Sequence, residues 1–272
     1  MINKKRLIKT IQKLISIDSQ NPPGDESRVA GFVSRYLRGL GLNVKTLSFK
    51  TKRDNVIAVL KGESDKSLLL TPHLDTVPAG KNWKRDPFAG EIRGDKIYGL
   101  GATDCKGNLA SALEAIHSLV EGGVTLKYNL VFAATSDEES GSGLGLLPLL
   151  ERKILKVDAA VVLDADDFEI VVTQKGLMHL KVRIKGKKAH GAYPWLGVNA
   201  IDIAAKIITD LKSEKINYKQ NRYLRQPTLN VGTISGGDKV NVVSDWCEFE
   251  LDFRFLPGTS EKQLLRNLKR TI

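Results

Sequence analysis

The chain has 272 residues, 42% of them hydrophobic, and a formal charge of +11. That length and apolar content suffice for one large domain or two smaller ones with a real core, and they exclude a disordered chain. The lysines are scattered rather than gathered into one block, and only 6% of residues are aromatic. The charge therefore reads as a solvated surface, part of which can serve anionic substrates, and not as a nucleic-acid or membrane face.

The opening MINKKRLIKTIQKLISID is basic but lacks a signal-like apolar block, so it reads as an amphipathic helix over residues 3–17. No stretch approaches the ~20 apolar residues of a membrane span. Cys105 and Cys247 lie far apart and form no CxxC, which fits a reducing, cytoplasmic setting without a disulfide framework. NPPGDES (21–27) is a turn, with Asp25 or Ser27 as candidate cap for a helix over 28–40. NVKTLSF and NVIAVLKG read as strands, SLLLTPHLD as an apolar strand ending near a histidine, and DPFAGEIRGDKIYGLG as two short strands. NLASALEAIHSLVEGG is a helix closed by glycines, NLVFAAT a buried strand, GLLPLLERK a helix and DAAVVLD a further buried strand. This alternation predicts an α/β fold with a mostly parallel sheet flanked by helices.

After Gly176 the pattern changes to half-exposed strands: LMHLKVRIKGK, the helix GVNAIDIAAKIITDLKSE, PTLNVGTISGG, DWCEFELDFRFLP and a last helix SEKQLLRNLKRTI. The order β-α-β-β-α is that of a ferredoxin-like α+β sandwich lacking its last strand. The expected domains are 1–176 and 177–272.

Ligands of open α/β sheets sit beyond the carboxyl ends of the strands. Those ends carry His73 and Asp75, Asp104 after a Gly-rich loop, Glu138 and Glu139 after Asp137, and Asp164. One imidazole and several carboxylates on one edge suit a pair of divalent cations such as zinc, which would neutralise the clustered acids. In HxD the two residues face the same side of a strand, so Asp75 can hold the ring nitrogen of His73 that faces away from a metal. Of two adjacent glutamates, one can bind metal while the other takes a proton from the attacking water. Spacing alone leaves Asp166 and Asp167 as competitors for Asp164. Cys105 reads as a candidate metal ligand or as packing, His117 as a structural helix residue, and His179 has no evident role. GLGATDCKG lacks both GxGxxG and GK[ST], which argues against a nucleotide site.

The motifs NPPGDE, HLDTVPAG, W..DPF, IYGLGATDCKG, SDEESG, QKG, AHGAYPWLGVNAI, GGDKVNVV and DFRFLPG, in this order along nearly the whole chain, resemble one family. It is the co-catalytic zinc peptidases and deacylases, which include acetylornithine deacetylase, succinyl-diaminopimelate desuccinylase, aminoacylase and glutamate carboxypeptidase. The resemblance implies a zinc aminopeptidase-like catalytic domain and a lid domain through which the chain forms a homodimer. It implies hydrolysis of the amide bond of N-acyl amino acids or small peptides through a water bridging two metals, zinc in the first place and cobalt or manganese otherwise. His73 and Asp164 would hold one metal and Glu139 the other, with Asp104 bridging them. Asp164 is favoured over its neighbours by its distance from Lys175-Gly176. Glu138 would be the general base, Asp75 the residue that orients His73, and His190 an oxyanion donor to the partner's site. Asn241 and Arg254 would bind substrate, and the Asp104–Cys105 peptide would be cis. Family members continue for roughly another hundred residues and supply a further histidine, so the chain is expected to be a C-terminally truncated form. The alternative is a non-catalytic metal-binding homologue.

Overall fold

The computed structural model describes residues 1–164, 169–213, 216 and 218–271. They fall into two compact units, Met1–Phe168 and Glu169–Ile272. The division between them thus falls at 168/169, ahead of the 176/177 drawn from sequence, and the first strand of the second unit begins at Gly176.

In the first unit, helices α1 (Lys4–Ile15) and α2 (Ser27–Gly39) precede strands β1 (Val44–Ser48), β2 (Asp54–Leu60) and β3 (Gly62–Pro72). A two-stranded ribbon, β4 (Glu91–Arg93) and β5 (Lys96–Tyr98), is followed by α3 (Lys106–Glu121), β6 (Leu126–Ala134), α4 (Leu146–Glu151) and β7 (Ala159–Leu163). The main sheet has the order β1-β2-β6-β3-β7. β3 pairs in parallel with β6 on one side and β7 on the other, whereas β1–β2 and β2–β6 are antiparallel. The sheet is thus mixed where the alternation of elements suggests mostly parallel. The reason is connection length: a parallel crossover needs a dozen or more residues, and the links from β1 to β2 and from β2 to β3 are far shorter.

β6 shows how the sequence builds two cores. Leu130, Phe132 and Ala134 pack with Leu14, Val33, Leu109 and Leu113, and the alternate residues Val131 and Ala133 pack with Ile57, Leu69 and Leu149 on the other face. β7 departs from expectation. It is an apolar run, but Ala159–Val162 are exposed, with Val162 at 64%. It ends the sheet order and, among the described residues, pairs only with β3. A short apolar run does not distinguish an edge strand from a central one. The N-cap of α2 is Glu26 with no side-chain cap bond, and the Ser27 hydroxyl instead donates to Asp25.

The second unit has the succession β8 (Gly176–Lys185), α5 (Ala200–Ser213), β9 (Thr228–Gly236), β10 (Trp246–Phe255) and α6 (Glu261–Thr271). Its antiparallel sheet has the order β8-β10-β9. Phe249, Leu251, Phe253 and Phe255 of β10 pack against Ala204, Ile207 and Leu211 of α5 and Leu264 and Leu268 of α6. The alternate residues form a cross-strand ladder, with the charge pairs Glu248 opposite Arg183 and Glu250 opposite Lys181, and Asp252 opposite His179. Among the described residues no helix is long and apolar enough to cross a membrane.

Candidate metal centre

The parallel triplet β6-β3-β7 brings three carboxyl-terminal strand ends to one sheet edge. Just past β3 stand His73 and Asp75, past β6 the segment Asp137–Glu139, and past β7 Asp164. The ladder runs one step beyond the strands through a parallel bridge between His73 and Thr135. Asp104 enters from the loop before α3, and Asn108 of α3 donates to the Asp164 carbonyl at 2.8 Å, tying that helix to the end of β7.

One potential ligand atom each from His73, Asp104 and Asp164 lies within 4.8 Å of the others, and the same holds for His73, Glu138 and Glu139. His73 is buried, and its Nε2 lies 2.8 Å from Asp104 Oδ1. Its Nδ1 lies 3.0 Å from the Asp75 carbonyl and 3.5 Å from Asp75 Oδ1. Asp75 thus lies against the ring, and the closer contact is through its main chain. Its carboxylate has further partners. Oδ1 accepts from Glu138 N and Oδ2 from Glu139 N, both at 3.1 Å, and Oδ2 also accepts from Asn21 Nδ2 at 2.8 Å. One buried residue therefore holds the histidine through its carbonyl and the backbone of the two glutamates through its carboxylate. Glu139 Oε1 accepts from Val77 N at 3.1 Å.

The electrostatics favour a cation. Burial pushes the Glu138 and Glu139 carboxyls above their usual range, and neighbouring acids (Asp164, Asp75 and Asp104 for Glu138, and chiefly Asp104 for Glu139) push the same way, against the pull of His73. Burial opposes a charge on His73, yet the hydrogen bonds to Asp75 and Cys105 push the imidazole up to about 12. A divalent ion would meet that demand in place of a proton. Imidazole plus carboxylates is a donor set suited to zinc and its neighbours, so the residues present fit such ions.

Asp137 does not join the cluster. Its Oδ1 accepts from Arg53 Nη2 at 2.6 Å, and its Oδ2 from Leu144 N at 2.9 Å. Of the three consecutive acids, the first is thus neutralised by the chain's own arginine. Asn21, Glu26 and Arg53 are contributors that pattern reading passes over, although Asn21 and Glu26 sit within NPPGDE. Cys105 is buried and accepts from His73 N at 3.1 Å, so it packs beneath the histidine. The Asp104–Cys105 peptide is cis. His117 lies 2.9 Å from Tyr36 Oη and His179 Nε2 lies 3.4 Å from Asp252, neither as part of the cluster. Asp166 and Asp167 lie outside the described residues.

In the second unit His190 and Asn241 are brought together: His190 bridges to Val242, and Gly191 N donates to the Asn241 carbonyl at 2.8 Å. His190 Nδ1 accepts from Ala192 N at 3.1 Å. Arg254 stands at the far end of β10, with Nε and Nη2 on Asp252 at 2.7 and 2.9 Å.

Residues 55–165 match Peptidase family M28, and residues 172–272 match the peptidase dimerisation domain. With the clustered donors, these matches define a metal-dependent hydrolase. Acetylornithine deacetylase of Klebsiella pneumoniae (strain 342) is 34% identical over 260 residues, which cover 92% of this chain and 67% of that protein. The enzyme of the same name from Erwinia tasmaniensis is 32% identical over 259 residues, with the same coverage. The chain belongs to this family of metal-dependent amidohydrolases and spans about two thirds of the length of these relatives. Among solved structures, a tripeptidase from Staphylococcus aureus is 27% identical with a TM-score of 0.76, covering 100% of this chain and 70% of that one. The M20 family metallo-carboxypeptidase Sso-CP2 from Sulfolobus solfataricus, at 23% identity, shares the fold with a TM-score of 0.80, covering 97% and 74%.

Proposed function

We infer that the chain acts as a two-metal hydrolase of the amide bond in N-acyl amino acids of the acetylornithine or succinyl-diaminopimelate kind, or in small peptides. The observation that carries this reading is the meeting of His73, Asp104, Glu138, Glu139 and Asp164 at one sheet edge, with two adjacent glutamates available for different tasks. The names of the relatives at 34% and 32% identity point to the N-acyl amino acid class.

His73 and Asp164 would hold one ion and Glu139 the other, with Asp104 between them. The ions would be zinc, with cobalt or manganese able to replace it. When bound, the pair supplies Lewis acidity toward the amide carbonyl. Glu138 takes the proton of the attacking water and hands it to the leaving amine, a task helped by a carboxyl whose burial raises its proton affinity. Asp75 keeps the His73 ring and the glutamate backbone in register. His190 donates to the developing oxyanion in the partner chain of a homodimer formed through the second unit. Asn241 and Arg254 bind the substrate's carboxylate or scissile carbonyl, which for Arg254 means exchanging its bond to Asp252.

The test is metal content together with hydrolysis of N-acetylornithine, N-succinyl-diaminopimelate and dipeptides. Glu138→Gln is expected to retain its metal and lose turnover by a factor of at least ~10². Turnover that survives in Glu138→Gln overturns the assignment of the base. Tight metal binding without hydrolysis of any of these substrates would make the chain a non-catalytic metal-binding relative.

A further inference from the structure

Behind the two glutamates lies a group of buried polar side chains that the proposed chemistry does not use. Arg53, 5% exposed, stands just before β2. Its Nε lies 2.8 Å from Glu26 Oε2, and its Nη2 donates to Asp137 Oδ1 at 2.6 Å. Glu26, completely buried, accepts from Asp137 N at 3.3 Å through Oε1. Asn21 joins this group to the metal cluster, because its Nδ2 donates both to Asp137 Oδ1 at 3.3 Å and to Asp75 Oδ2 at 2.8 Å. Three distant stretches of chain, 21–26, 53 and 137, thus meet around one carboxylate.

That carboxylate belongs to a residue with unusual backbone. Asp137 has φ of +67°, a left-handed conformation that disfavours side chains larger than glycine by ~1 kcal/mol. This reversal turns the next two N–H groups, of Glu138 and Glu139, so that both point at Asp75. Space is kept for the device. Gly24 has φ of +81°, and a Cβ there would overlap Arg53 Nη1. Buried ion pairs of this kind are poor sources of stability, since apolar groups of the same volume hold a fold as well. The planar guanidinium donates to Asp137 through Nη2 while its Nε stays in ion-pair contact with Glu26, an arrangement that a point-charge ammonium does not reproduce in shape.

We propose that Arg53, with Glu26 and Asn21, is a positioning device that clamps Asp137 in its left-handed conformation and thereby aims Glu138 and Glu139 at the metal cluster. The inference rests on the two-metal reading above and adds to it residues that touch neither metal nor substrate.

The experiment is a stepwise Co²⁺ titration of the metal-free chain, followed by d–d absorption and fitted to successive binding constants, with the melting temperature of the metal-free form measured alongside. Arg53→Lys keeps the charge and loses the fork. It is expected to weaken the ion assigned to Glu139 by ~10–100-fold, the usual effect of removing a partner behind a ligand, and to leave the other ion within about threefold. Asn21→Ala leaves the Arg53 contacts intact but also removes a buried hydrogen bond from Asp75, so it is expected to weaken the same ion and to lower the melting temperature by about 3–12 °C. If the unsubstituted chain takes up two ions and both variants bind them equally well, the clamp is structural and the proposal is overturned. Should Arg53→Lys fail to fold, the Asn21→Ala result decides. If the unsubstituted chain takes up only one ion, the two-metal reading fails separately. The clamp is then judged on that ion: a loss in Asn21→Ala supports it and no loss overturns it.

Discussion

Asp75→Asn tests the joint on which the centre is built. Asp75 is fully buried, and its two oxygens take the N–H groups of Glu138 and Glu139 and the Asn21 amide. Burial alone would raise its carboxyl, but hydrogen bonds from His73 and Asn21 hold it below the usual range, so the native partner is an anion. The asparagine has the same shape and turns one accepting oxygen into a donor. Whichever way the amide is oriented, at least one charge-assisted hydrogen bond is lost, costing ~1.5–3 kcal/mol, and one buried donor is left unpaired, costing ~1–3 kcal/mol. The two together come to about 4 kcal/mol. In a unit of this size 1 kcal/mol shifts the midpoint by about 2–4 °C, so melting should fall by about 8–16 °C. Circular dichroism of the metal-free chain in EDTA measures this without the contribution of bound metal. Titration with Co²⁺ of the metal-free chain after EDTA has been removed should show affinity lowered ~10–100-fold. A melting point within about 2 °C of the unsubstituted chain, with unchanged metal uptake, would refute the view that this carboxylate locks the glutamate backbone and Asn21 together.

Two further outcomes are expected away from that joint. The Glu114 carboxyl is held down at about 2 by its hydrogen bond from Arg6, against burial, from an ordinary value of 4.5. Its contribution, ~2–3 kcal/mol after allowance for solvent at Arg6, should be complete above about pH 4.5 and vanish as pH falls through about 2; urea unfolding at pH 7 and pH 3 should show a steeper acid loss in the unsubstituted chain than in Arg6→Met. Cys105→Ala should cost ~1–2 kcal/mol, because His73 N loses its sulfur acceptor, and should leave the number of bound metal ions unchanged by elemental analysis; loss of one ion would make the sulfur a ligand.

The sheet edge was legible because each contributing strand is a short apolar run that stops at polar residues, and parallel strands stop on the same side. His73, Glu138, Glu139 and Asp164 are placed together by that rule alone once β3, β6 and β7 are neighbours. The direction of β2 was not legible from the run itself, since direction is fixed by the connections at either end. The exposure of β7 was not legible either, because Val161 and Val162 look the same at an edge as in the middle of a sheet. The HxD spacing puts Asp75 on the side of the His73 ring but does not say that its carbonyl comes closer than its carboxylate, which turns to the glutamate backbone instead.

Arg53 shows a different kind of limit. A single arginine before a strand carries no periodicity, and its partners Glu26 and Asp137 are 27 residues before it and 84 after it. The physical demand it answers was nevertheless visible in SDEES: three consecutive acids at the lip of a core require positive charge. The structure divides that demand. Asp137 turns inward and receives a cation fixed in the chain, whereas Glu138 and Glu139 turn toward His73, where the cation can be an exchangeable ion. A permanent charge on the first acid leaves the other two without a competing protein partner in the same turn, which is the condition under which adjacent glutamates can serve a metal and a proton separately.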